Sequence, residues 1–209
     1  MDSIFDMTKS ELTSGFEISA VFYDREISGH KILCRKNCNI KRRGTKQDRK
    51  QALVIMYNPG SCKPLCEYDG IRPVPAVWDS TQVQLLKLMQ YAELDWIEIE
   101  NLSDICEGKS KKFQELLKQT SDDSHCIFEV NRKNELVIDE KLKVIFAWGK
   151  DGEKLKGLVE STINTFSDMH TFGYKKEGKS YYQRPLARFM SKEDRIFWIK
   201  EVSDYIKAN

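Results

Sequence analysis

A single α/β domain on a mainly parallel sheet is the fold class this sequence predicts, and three observations predict it. The chain has 209 residues, which suits one large domain. Three apolar runs end abruptly in turn residues, at Asn58-Pro59-Gly60, Asn101-Leu102 and Trp148-Gly149. Each run is followed by a stretch with helical spacing, and repeated strand-loop-helix units are satisfied by parallel strands covered with helices.

Residues 1–15 are polar and are expected to be mobile, which leaves 16–209 as the domain. Ala20 to Tyr23 and Lys31 to Cys34 read as an antiparallel hairpin turning through Ser28-Gly29, an N-terminal elaboration that flanks the main sheet. Leu53 to Tyr57 is apolar enough for a strand buried on both faces. A proline pushes the residue before it toward extended geometry, so Asn58 closes the strand and Gly60 permits a tight turn with exposed N–H groups. A loop with Pro64, Pro73 and Pro75 follows, long enough to be functional. Asp79 or Ser80 can cap a helix bearing Val83, Leu86, Leu88, Met89 and Leu94.

Trp96 to Glu100 alternates as a second strand, and a short helix is expected around Lys111 to Lys118. Lys143 to Ala147 is the third strand. The helix after it, from about Gly152 to Phe166, turns Leu155, Leu158, Val159, Ile163 and Phe166 inward. Thr171 to Tyr174 reads as a further strand. Ser191 with Asp194 has the form of a capping box for a closing helix striped by Ile196, Ile199, Val202 and Ile206.

The net charge is only +2, yet Lys31, Arg35, Lys36, Lys41, Arg42, Arg43, Lys46, Arg49 and Lys50 share one stretch. Such a local positive field fits a phosphate-bearing partner, and it also fits an ordinary solvated loop. The start of the chain has neither a basic n-region nor a long apolar h-region, and no run is long enough to cross a bilayer. A cytoplasmic protein without membrane contact is expected, with its six cysteines reduced. Cys34/Cys38 and Cys62/Cys66 repeat a three-residue gap, unlike the C-x2-C of structural zinc knuckles, and the three histidines fit no ligand spacing. No metal and no cofactor is expected.

The order Asn58-Pro59-Gly60, Asn101-Leu102, Trp148-Gly149 and Arg184-Pro185-Leu186 resembles a family known as domain of unknown function 1643, over roughly residues 20–190. Its members carry an Asn-Pro-Ser turn, an Asn-Leu pair, a Trp-Gly pair and a His-Pro-Leu segment. The same order is similar to the uracil-DNA glycosylase superfamily, and Tyr57-Asn58-Pro59-Gly60 resembles the first motif of its mismatch-specific branch. The resemblance implies a three-layer sandwich of the uracil-DNA-glycosylase type. It also implies a DNA glycosylase that flips a modified or mispaired base and hydrolyses its N-glycosidic bond. Defence against phage with altered bases is a setting that suits an unusual pocket.

Under that resemblance Asn58 orients the attacking water, because a neutral amide is too weak a base to remove its proton. Pro59 and Gly60 hold water or a phosphate beside it, and Asn101 reads the extruded base. Tyr57, Tyr68 or Trp78 supplies a stacking wall; Trp148 either stacks on the base or is a core aromatic. Leu186 fills the vacated stack, with Arg184 and Pro185 in the same invading loop. Arg184 stands where the family has histidine, and its permanent charge favours an anionic leaving group or a bulky polar modification. Ser61, Arg42, Arg43 and Lys46 complete the expected DNA contacts.

Plainer readings stand beside these. Asn101 can close a turn, and Asp79 and Thr81, at positions where the family has an acid and a threonine, can cap a helix. The main rival function is a non-catalytic nucleic-acid or nucleotide binder, with phosphate cradled at Asn58 to Ser61. A second rival is a metal-dependent hydrolase using Asp69, Asp79 and the cysteines.

Overall fold

The computed structural model describes residues 2–120, 124–128, 135–136, 138–187 and 190–208. It is an α/β structure around one seven-stranded mixed sheet. The strands are β1 (Phe16–Ile27), β2 (His30–Arg42), β3 (Ala52–Met56), β4 (Val74–Pro75), β5 (Trp96–Asn101), β6 (Lys143–Phe146) and β7 (Thr171–Phe172). Their order across the sheet is β4-β1-β2-β5-β3-β6-β7.

The parallel part is β5-β3-β6-β7, and β3 lies at its centre because Val54 and its neighbours are apolar on both sides of the pleat. Helices α1 (Lys9–Ser14), α2 (Ser80–Tyr91) and α5 (Lys192–Ala208) cover one face, where Leu12, Leu85, Leu86 and Trp198 meet Ala52, Val54 and Ile99. Helices α3 (Ser110–Gln119) and α4 (Lys156–Thr165) cover the other, where Phe113 and Leu158 meet Leu53, Ile55 and Phe146. Alternate residues of β3 therefore feed two separate cores. Fully burying each such side chain contributes roughly 1.5–3 kcal/mol before chain entropy is counted.

Helix α2 begins with a reciprocal capping box, in which Asp79 Oδ1 accepts from Gln82 N–H at 2.8 Å and Gln82 Oε1 accepts from Asp79 N–H at 2.8 Å. The expected box at Ser191 and Asp194 also forms at the start of α5. Among the described residues, no helix is long and apolar enough to cross a membrane.

Four expectations need correction. The sheet is mixed rather than mainly parallel, because the N-terminal hairpin does not flank it: β2 pairs antiparallel with β5 and extends the same sheet. The hairpin strands are also far longer than expected, so much of the basic stretch lies on β2. The N-terminal segment, expected to be mobile, holds a 3-10 helix at Asp2–Asp6 and helix α1 at Lys9–Ser14, since Thr8 and Glu11 form a capping box and Phe5 and Leu12 are buried. Ile163 points outward at 38% exposure, because the inward face of α4 is taken by Leu158, Thr162 and Phe166 at four-residue spacing.

Candidate functional site

Topology explains where a cavity forms. From β3 the chain crosses through α2 on one face to reach β5, then through α3 on the other face to reach β6 on the far side of β3. The crevice outside the carboxyl end of β3 is the switch point at which open α/β sheets accept ligands. The strand ends there stay in register, with Leu102 N–H bonded to Met56 O, Ser103 N–H to Tyr57 O, and Ala147 N–H to Ile55 O.

A cavity of about 170 Å³ opens at this point, lined in part by Tyr57, Asn58, Pro59 and Gly60. Trp148, Arg184 and Leu186 close another side, and Asp79 and Thr81 at the start of α2 close a third. Arg35, Met56, Ile99 and Ala147 form the wall made by the sheet. Pockets for drug-sized ligands run to roughly 300–1,000 Å³, so this volume suits a group the size of one base rather than a whole nucleotide.

Asn58 is held at a defined angle. Its Nδ2 donates to Glu107 O at 2.7 Å and more weakly to Ile105 O at 3.5 Å, which turns the amide oxygen away from the loop that holds the nitrogen. Gly60 takes φ 63°, the left-handed turn expected of it. Tyr57 is buried, packs edge-on against Phe113, and its hydroxyl accepts from Gln114. Burial raises the pKa of its phenol well above the ordinary tyrosine value, so the ring is a neutral wall.

Arg184 reaches the cavity by lying across Gly149. Gly149 has φ 73°, and a Cβ there would stand 3.2 Å from Arg184 Cδ. The loop behind it is pinned by Gly149 N–H to Tyr182 O at 2.9 Å and by Trp198 Nε1–H to Gln183 O at 3.0 Å. Trp148 is a core aromatic, only 2% exposed and packed against Phe146 and Tyr182, that also lines the cavity.

Several expected site residues lie elsewhere. Asn101 is fully buried and does not line the cavity; with its amide oriented to satisfy both neighbours, it donates to Asn58 O and accepts from Arg35 Nη2, each at 3.2 Å. It braces the site from behind the cavity wall. Pro185 is buried and Ser61 faces solvent, neither of them on the cavity wall. Tyr68 bonds to Asp24 and Trp78 packs against the core, both apart from the cavity.

Arg42, Arg43 and Lys46 lie at the opposite end of the sheet. Lys41 pairs with Trp96, the first residue of β5, whereas the cavity adjoins the last. Five strand rises of ~3.3 Å separate the two ends by roughly 16 Å. Arg42 is moreover bonded to Asp95 at 2.6 Å and stacked on Phe16, and Arg43 stands 3.9 Å from Glu17. Lys150, Lys176 and Lys179 instead line a groove that adjoins the cavity through Arg184, together with Tyr174 and Tyr181.

Two charged residues of the cavity wall were not assigned to the site by the sequence. Asp79 caps α2 through Oδ1 and lines the cavity as well, which its capping role concealed. Arg35 reads in sequence as one more cation of the basic stretch, with no signal to set it apart. Asp69, needed by the metal-hydrolase alternative, is occupied by the Ile71 and Arg72 N–H groups and the Arg72 guanidinium in a separate loop. Among the described residues, no three His, Cys, Asp or Glu side chains are grouped as a metal would require. Comparisons with protein-family models, curated proteins and solved structures gave no match.

Proposed function

We propose that the protein is a DNA glycosylase-like enzyme that hydrolyses the N-glycosidic bond of a modified or mispaired base after extruding it from the stack. One observation carries this reading: residues 57–60, Trp148, Arg184 and Leu186, far apart in sequence, line a single base-sized cavity at the carboxyl end of the central strands. Glycosidic cleavage builds positive charge on the sugar and negative charge on the departing base. It therefore needs a held water on one side and fixed donors on the other.

The chain has residues for both tasks. The Asn58 amide, its nitrogen tied to Glu107 O, offers an oxygen to orient water, and the Asp79 carboxylate at the same cavity supplies the stronger base that an amide lacks. Arg184 supplies charged N–H donors, and Leu186 beside it suits a wedge that occupies the space of the extruded nucleotide. The resemblance to the uracil-DNA glycosylase superfamily gains support from this convergence and loses support at Asn101. Phage DNA with altered bases is the setting we propose for such a pocket.

The test is incubation with DNA containing modified and ordinary bases, scored for free base and alkali-labile abasic sites. Base release is expected, and Asn58→Ala should slow it by about two to three orders of magnitude. Salt-sensitive binding with no base released from any substrate would favour the non-catalytic binder instead.

A further inference from the structure

Arg35 is a charge without a counter-charge. It is 3% exposed, lies on the sheet wall of the cavity, and forms no ion pair with a carboxylate among the described residues. One guanidinium nitrogen, Nη2, bonds to Asn101 Oδ1 at 3.2 Å, but Nε is buried with no acceptor at all. The Cys38 thiol beside it does not neutralise it: burial pushes that thiol up to about 12, so its sulfur is uncharged at neutral pH. Asp79 shares the cavity, yet its Oδ1 is engaged by Gln82 N–H and it makes no ion pair with Arg35.

Guanidinium does not shed its proton to escape burial, as a lysine can. An unpaired buried cation therefore costs folding free energy in the empty protein, a cost that a bound anion would offset. Two further features of the cavity suit an anion. The first turn of α2, a twelve-residue helix, forms part of its wall with Thr81, and Arg184 lines the same cavity with a second guanidinium. The cavity is sized for one ring, and a guanidinium is a flat fork of donors that pairs best with a planar, delocalised oxygen edge.

We propose that Arg35 makes this cavity a binding site for a planar anion the size of a single nucleobase, either a ring bearing a carboxylate or a ring that is itself deprotonated. The proposal rests on the cavity receiving a base and names the kind of base it receives: one already anionic before the glycosidic bond breaks. A neutral base would leave Arg35 uncompensated. Asn101 becomes a positioning residue that fixes the guanidinium by accepting from Nη2 while donating to the backbone of Asn58.

Free bases test this without DNA. Orotate probes the ring carboxylate, 5-nitrouracil the acidic ring that ionises near neutral pH, uracil the neutral ring, and inorganic phosphate the non-planar anion; thermal shift and calorimetry read binding. One or both planar anions should bind at least about tenfold tighter than uracil or phosphate, a difference of ~1.4 kcal/mol. Orotate alone points to the carboxylate source, 5-nitrouracil alone to the ring anion. Arg35→Met should abolish the preference while the unliganded protein melts no lower than the wild type, because an unpaired charge is exchanged for apolar volume.

Equal binding of uracil and the anions overturns the proposal, as does a preference for phosphate or a preference that survives Arg35→Met. If Arg35→Met does not fold, Arg35→Lys takes its place: the planar fork is lost, so affinity for the planar anions should fall at least about tenfold, and unchanged affinity overturns the proposal. Base excision from DNA by protein that shows no anion preference would sink this inference and leave the glycosylase reading intact. Anion preference without excision on any DNA would do the reverse.

Discussion

Glu100 shows how one residue can couple stability to pH. It is fully buried near the carboxyl end of β5, with Oε1 accepting from Asn37 N–H at 3.0 Å and Oε2 without a partner. Burial, with repulsion from Glu98 and Asp104, raises its pKa well above the usual 4.5. A carboxyl held protonated by the fold binds its proton more tightly folded than unfolded. Its contribution is thus complete below the unfolded pKa and is lost as pH rises toward the folded one. Glu100→Gln keeps the acceptor for Asn37 and cannot ionise, so it should raise the melting temperature by a few degrees at about pH 8 and flatten its decline with pH. Thermal melts across pH check this; an unchanged slope would mean that Glu100 ionises freely in the fold. Sequence alternation concealed this residue, since Trp96-Ile97-Glu98-Ile99-Glu100 reads as a strand with one wet face. Helices cover both faces, and Glu98 is buried against Lys50 at 2.5 Å. Lys50→Met would strand that carboxylate at a cost of about 3–5 kcal/mol, measurable by denaturant unfolding.

At the scale of elements, the Trp148-Gly149 corner and the Arg184 loop act as one unit because Arg184 lies directly over Gly149. Gly149→Ala forces a side chain into left-handed backbone at a cost of about 1–2 kcal/mol and crowds Arg184, whose Cδ would stand 3.2 Å from the new Cβ. Its expected signature is a melting temperature lower by roughly 2–8 °C together with a far larger loss of base release. A variant that melts lower yet turns over normally would detach this corner from the chemistry. Trp148-Gly149 was legible in sequence as a special strand end, and Ser28-Gly29 as a turn, because backbone demands of this kind are local. Which loop would lie over Gly149 was not legible, since the partner comes from more than thirty residues away.

Across the whole molecule, charge is divided between two ends of the sheet, and only one end holds the cavity. Reversing Arg43 and Lys46 to Glu should therefore leave DNA affinity within about twofold, because both stand roughly 16 Å from the site. Reversing Lys176 and Lys179, beside Arg184 in the adjoining groove, should weaken binding severalfold and reduce its dependence on salt. Electrophoretic or anisotropy titrations at two salt concentrations distinguish the pairs, and the opposite ranking would return the interface to the basic stretch.

By itself the sequence determined the α/β class, the strand ends that carry Asn58 and Trp148, and the caps of α2 and α5. These follow from periodicity and from backbone preferences that act over a few residues. Only the tertiary structure decided that the hairpin joins the sheet, that Asn101 faces inward, and that Arg35 leaves its charged neighbours to line the cavity. Strand pairing and burial depend on which distant surfaces meet, and a run of basic residues looks the same along the chain whether its members face water or a hollow.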